Sequence, residues 1–170
     1  MADFDVKVKE YPAQRTAAIR VKTTLNKVPE KVGQLLQETS DYLTAQGIEP
    51  KGHGFAVYYE VGNVVVDVEA GFVVDADVEG NERVHPGTLP AIKAASTVYE
   101  GPHLQMPDAH RAVHRWMHEN EVKASGEPAR EVFLVDMRGA ANDAVTKAES
   151  AFPANIETRA ERRRKAKSGN

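Results

Sequence analysis

Several groups of side chains in this 170-residue sequence have the composition and spacing for chemistry. Glu131 alternates with Phe133 and Val135, so in an extended segment a carboxylate shares one face with apolar neighbours. A buried carboxylate costs several kcal/mol unless it is paired or protonated. A cationic molecule entering an aromatic-lined pocket would offset that cost and gain about 0.5–2 kcal/mol of cation–π attraction per well-placed ring. Asp67 and Glu69 alternate along Val64–Val74, opposite the face of Val66, Val68, Ala70 and Phe72. They are either solvated or the acidic wall of a cleft. Tyr59 alternates with Phe55 and Val57, which puts all three on the cleft side. Trp116 has core spacing with Ala109, Ala112, Val113 and Met117, and serves as core or as pocket floor.

His110, His114 and His118 recur every four residues on a helical segment. Two histidines so spaced can share one ion, but the third lies about 12 Å along the axis from the first. The stripe therefore reads as a solvated face, and no metal site is expected. Gly52-His53-Gly54 is too short to cradle a phosphate, and no P-loop, dinucleotide fingerprint or nucleophile elbow is present. The absence of cysteine removes thiolate chemistry, disulfides and cysteine metal sites. No cofactor is implied.

Charge is unevenly spread. The total is −3, yet residues 156–170 hold six basic and two acidic side chains, leaving an acidic body with a basic tail. Such a body is no coater of nucleic acid. The tail, expected to be solvated, is the one route to nucleic acid or an acidic partner. No apolar run approaches the about 20 residues of a membrane helix, and the charged, alternating N-terminus is no signal peptide. The expectation is a soluble cytoplasmic protein, monomeric or homodimeric.

These residues must be positioned by strands expected at Gln14–Thr23, Phe55–Glu60, Val64–Val74, Thr88–Tyr99 and Glu131–Asp136. Helices are expected from Val28 to Gln46, with Pro29 in the first turn and Gly47 ending it, and from Asp108 to Glu121. Pro12-Ala13, Glu49-Pro50 and Phe55 precede Pro90-Ala91, Glu127-Pro128 and Phe133 by 78 residues each. A constant offset across equivalent elements indicates a duplicated strand-helix-strand-strand unit, with repeats at about 4–76 and 83–137. The fold expected is α+β: one mostly antiparallel sheet, two helices on one face and a ligand cleft on the other. In this register His53 is the mate of Glu131. The division is a domain at 1–138 followed by an extension at 139–170 that carries the tail.

The segments Tyr11-Pro12-Ala13, Gly47-Ile48-Glu49-Pro50, Phe55–Glu60 and Asp67-Val68-Glu69-Ala70-Gly71 stand in the first half. Leu89-Pro90-Ala91, Tyr99-Glu100-Gly101-Pro102, Trp116, Glu127-Pro128 and Glu131-Val132-Phe133 follow in the second. Taken in order, over roughly residues 4–137, they resemble the gyrase-inhibitor-like (GyrI-like) effector-binding domains, which also serve as drug-binding domains of multidrug-responsive transcription regulators. The resemblance implies the duplicated fold and, with no helix-turn-helix ahead of it, a stand-alone domain. It implies a small lipophilic ligand that is sensed or sequestered, with Glu131 as the main polar contact for a cation. Many members carry tyrosine where this chain has Phe133; Tyr58, Tyr59, Tyr99 or His53 could substitute. Some members hydrolyse strained electrophiles, which makes hydrolysis with Glu131 as general base the alternative. A protein-interaction or gyrase-modulating module is the second alternative.

Overall fold

Val32, Leu35, Leu36 and Leu43 recur at helical spacing, and all are withdrawn from solvent on one face of α1 (Val28–Ala45). Pro29 sits in the first turn, where its missing N–H costs nothing. Gly47, at φ +72°, ends the helix with its N–H on the Thr44 carbonyl. The computed structural model describes residues 4–156 together with 164, 166 and 167. The basic tail thus lies almost wholly outside the described residues.

Among the described residues nine strands accompany the helices: β1 (Lys7–Tyr11), β2 (Gln14–Thr24), β3 (Lys51–Val61), β4 (Val65–Val73), β5 (His85–Leu89), β6 (Ile92–Pro102), β7 (Lys123–Ala124), β8 (Ala129–Phe133) and β9 (Val145–Asn155). The second helix is α2 (Pro107–Glu119). The strands form one antiparallel sheet in the order β1-β6-β9-β8-β3-β4-β2-β5, with β7 beside β9. The α+β architecture is therefore as expected, and the repeat is visible in it. β2 and β6 start at residues 14 and 92, and β3 and β8 at 51 and 129, each 78 apart. β1 and β5 are mates at the same offset, starting at 7 and 85, but each pairs with the other repeat: β1 with β6, β5 with β2.

Two boundaries differ from expectation. The second repeat does not stop at 137, and residue 138 is not an edge of the sheet. β9 is the mate of β4 and lies between β6 and β8. The expected Thr88–Tyr99 strand is two strands, because Pro90 has no N–H to continue the ladder.

Both helices cover one face of the sheet. Val66, Val68, Ala70 and Phe72 of β4 and Ala148 of β9 share a core with the buried leucines of α1 and with Ala109 of α2. Further along α2, Val113 and Met117 pack with Ala95 of β6 and Ala154 of β9. The opposite face buries Ala18, Phe55, Val57 and Leu89 against one another. Gly71 makes this packing possible. A Cβ there would lie 2.0 Å from the Ala17 carbonyl oxygen and 2.6 Å from the Ala18 Cα, so only glycine lets β2 and β4 approach so closely.

Candidate functional site

A cavity of about 750 Å³ opens between the start of α1, α2 and the sheet. It lies on the helix-bearing face, not on the opposite face where a cleft was expected. Val28 and Pro29 of α1, His110 and His114 of α2, and Tyr58, Val66, Ala129, Glu131 and Phe152 of the sheet contribute to its wall. Its rim is apolar: Leu25, Val61, Val64 and Leu104 line it while 42–65% exposed.

Glu131 stands on β8 between Ala56 of β3 and Ser150 of β9. These small partners leave the space above the carboxylate open, yet the residue is only 1% exposed. His103 Nε2 lies 3.2 Å from its Oε2, both side chains being 2% exposed. The His103 backbone is fixed by its N–H on the Ala144 carbonyl. Its ring meets the Phe133 ring edge-on at 5.9 Å. The Tyr58 hydroxyl also faces the Glu131 carboxylate and interacts with its charge.

Burial pushes the Glu131 carboxyl up, but the bond and charge of His103, the charge of His110 and the Tyr58 hydroxyl together hold it below the ordinary glutamate range. An ionised carboxylate only accepts hydrogen bonds, so His103 Nε2 carries a hydrogen and donates it. His103 Nδ1 is buried without a partner. The Tyr58 phenol is pushed well above its usual value, by burial first and then by the Glu131 charge. Burial likewise lowers His110, against the pull of Glu131. The wall therefore presents one buried negative charge in an apolar chamber.

Of the nine residues singled out in the sequence, Glu131 lines this cavity and the others do not. Phe133 sits behind it, holding the His103 ring. Phe55 belongs to the cluster on the opposite face. On that same face Tyr59 is 39% exposed, with the Arg20 guanidinium 3.6 Å over its ring and its hydroxyl donating to Glu69 at 2.9 Å. Asp67 pairs with Arg20 at 2.9 Å. Tyr99 is core, stacked on Phe4 and donating to the Pro102 carbonyl at 2.6 Å. Trp116 flanks the cluster around Val113 and Met117. His53 is exposed and electrostatically close to Asp136.

The histidine stripe also needs correction. The buried stripe of α2 is Ala109, Val113 and Met117. His110 and His114 therefore follow core positions by one residue, about 100° around the helix, and both line the cavity, His110 half-buried and His114 exposed. Their rings meet the Phe152 ring edge-on at 5.0 and 4.6 Å. His118 is exposed. His103 and Phe152 were missed, and of the residues named as substitutes for a tyrosine at 133 it is Tyr58 that reaches the cavity. The parity of β3 separates Tyr58 from Tyr59, but only the β3–β8 register, with Ala56 opposite Glu131, brings Tyr58 to the carboxylate.

Comparison with known proteins fits this geometry. No curated protein sequence matches the chain. Among solved structures it is similar to the regulator EcmrR, in a complex with DNA (TM-score 0.77, 18% identity), over 91% of this chain and 58% of that one. The chain thus spans little more than half of that regulator. The C-terminal domain of EcmrR alone gives a TM-score of 0.72 at 18% identity, over 91% of this chain and 99% of that one. A hydrolase from Listeria innocua gives 0.59 at 11% identity, covering 88% and 91%. SAV2435 bound to tetraphenylphosphonium gives 0.51 at 11%, covering 89% and 94%. At these identities the likeness is one of fold. The sequence model of the GyrI-like small molecule binding domain matches residues 4–153, from ahead of β1 into β9. By that match, which covers nearly the whole described chain, the protein belongs to the GyrI-like small molecule binding domain family.

Proposed function

We propose that this chain takes up a lipophilic, cationic small molecule in the cavity between α1 and α2, and senses or sequesters it there. The observation that carries the reading is the union of an apolar chamber of about 750 Å³ with the buried, ionised Glu131 in its wall. The volume lies within the range of small-molecule sites. A cation near Glu131 would neutralise a charge that the protein has withdrawn from water. The faces of Tyr58 and Phe152 would add apolar area and cation–π attraction. The tetraphenylphosphonium held by SAV2435 is a ligand of this chemical class.

General-base hydrolysis is less well supported. Glu131 already accepts a bond from His103 and is held below the ordinary glutamate range, which makes it a weak base near neutrality.

The test is thermal melting with three probes of similar shape and different charge: tetraphenylphosphonium, triphenylphosphine oxide and tetraphenylborate. At a hundred times its Kd a ligand adds about 2.7 kcal/mol, or roughly 5–10 °C for a chain of this length. The expected result is a shift with the cation alone, lost in Glu131→Gln. Equal shifts with all three probes, or a cation shift that survives in the variant, would overturn the reading.

A further inference from the structure

The carboxylate already has a partner, and that partner restricts what can bind. His103 is the basic side chain in direct contact with Glu131, at 3.2 Å, with both groups all but sealed from water. Among the described residues no lysine or arginine lines the cavity. Two agents can therefore neutralise Glu131: a proton on His103 or a cation brought by the ligand. Holding both at once would leave an imidazolium beside a second positive charge in an apolar chamber, the arrangement that low dielectric penalises most.

We infer that His103 is the resident counter-cation of Glu131, and that a cationic ligand binds by displacing its proton. The inference rests on the cation reading above and deepens it, making His103 the residue that determines which charge state of ligand the cavity accepts. With His103 protonated the chamber is neutral and favours neutral guests. With His103 neutral it carries an uncompensated carboxylate and favours cations.

The other titratable groups facing this pair are few. Tyr58 comes from β3, and His110 and His114 from α2; α1, β2, β4 and β9 contribute Val28, Thr24, Val66 and Phe152, none of which titrates. Tyr58 stays protonated through neutrality, because burial and the Glu131 charge both raise its phenol. Glu131 itself titrates below the window in which an imidazole changes charge. The His110 ring carries no direct bond to the carboxylate in this arrangement, which leaves His103 as the proton's seat.

The probe is tetraphenylphosphonium, whose own charge does not vary with pH. It is titrated calorimetrically into the full chain from about pH 5.5 to 8, the range of imidazole titration, in buffers of differing ionisation enthalpy. The result expected is a Kd that falls up to tenfold per pH unit on the acid side and then levels. Release should approach one proton per cation bound at the acid end. In His103→Gln the burial of Glu131 is unopposed, so the proton is released from the carboxyl instead and the pH profile of the Kd moves, while His110→Gln retains the wild-type profile. Binding with no buffer-dependent heat in the wild-type chain overturns the inference and leaves the cation reading standing. So does a pH profile that moves in His110→Gln and not in His103→Gln. No binding at any pH, by wild type or His103→Gln, overturns both. The wild-type titration needs no variant to fold.

Discussion

Replacing His103 by glutamine should turn the acid side of the stability curve upside down. In the wild-type chain the Glu131 carboxyl lies below its ordinary value because His103 bonds and charges it against the opposing effect of burial. A lowered folded value contributes stability that is present above the unfolded value and lost as pH falls through the folded one. Without His103 the burial effect dominates, and the carboxyl is pushed above its ordinary value. Stability from such a group is complete below the unfolded value, near 4.3, and is lost as pH rises through the folded value. Removing one partner of a buried pair costs about 3–5 kcal/mol, and that is the loss expected at pH 7. Urea denaturation of both chains between about pH 4.5 and 7.5 reads the difference directly. The gap should be widest at neutrality and close towards pH 4.5. A gap that is constant with pH, or smaller than about 1 kcal/mol throughout, would refute the reasoning. In that case the carboxylate would be hydrated or neutralised by some other group.

Two further outcomes follow from the same structure. Gly71→Ala places a methyl group 2.0 Å from the Ala17 carbonyl oxygen. It should cost about 3 kcal/mol through displacement of β2 from β4; a loss within about 0.5 kcal/mol in urea denaturation would contradict the close approach. The phenols of Tyr58, Tyr11 and Tyr99 are raised by burial foremost, and that of Tyr59 to about 12. The stability they lend is full below about pH 10 and lost as pH rises through the folded values. Phenolate absorbance from these residues should therefore emerge with alkaline unfolding, and its appearance around pH 10 in the folded chain would contradict the burial.

Turn and cap residues made much of this fold legible. Pro29 and Gly47 bracket α1, and the proline anchors at an offset of 78 expose the duplication, because they mark where the chain must change direction. Alternation along β4 placed Val66, Val68, Ala70 and Phe72 together, and they do meet the helices. β9 escaped notice because its inward residues, Thr146, Ala148 and Ser150, are small or polar and carry little strand signal. β1 and β5 are short, exposed edge strands, and their exchange between repeats leaves no local trace.

The side of the sheet that holds the cavity was misread for a related reason. Sequence reasoning follows large side chains to a pocket, and so reached Phe55, Tyr59 and the acids beside them. In β3 the large apolar Phe55 and Val57 fill the opposite face, while Ala56 faces the helices. With Ala56, Ala70 and Ala148 on the covered face the helices need not fill all the space above the sheet, and a chamber remains beside them. Glu131 was found because a lone carboxylate among apolar neighbours is conspicuous whichever face it occupies. His103, beyond the Gly101-Pro102 turn, carries no periodic signal.

The most direct test of the account is a crystal structure of the chain with tetraphenylphosphonium. The account predicts density for the phosphonium between α1 and α2, its charge directed at Glu131 and its rings against Tyr58 and Phe152. Density on the opposite face, beside Tyr59, Asp67 and Glu69, would contradict it.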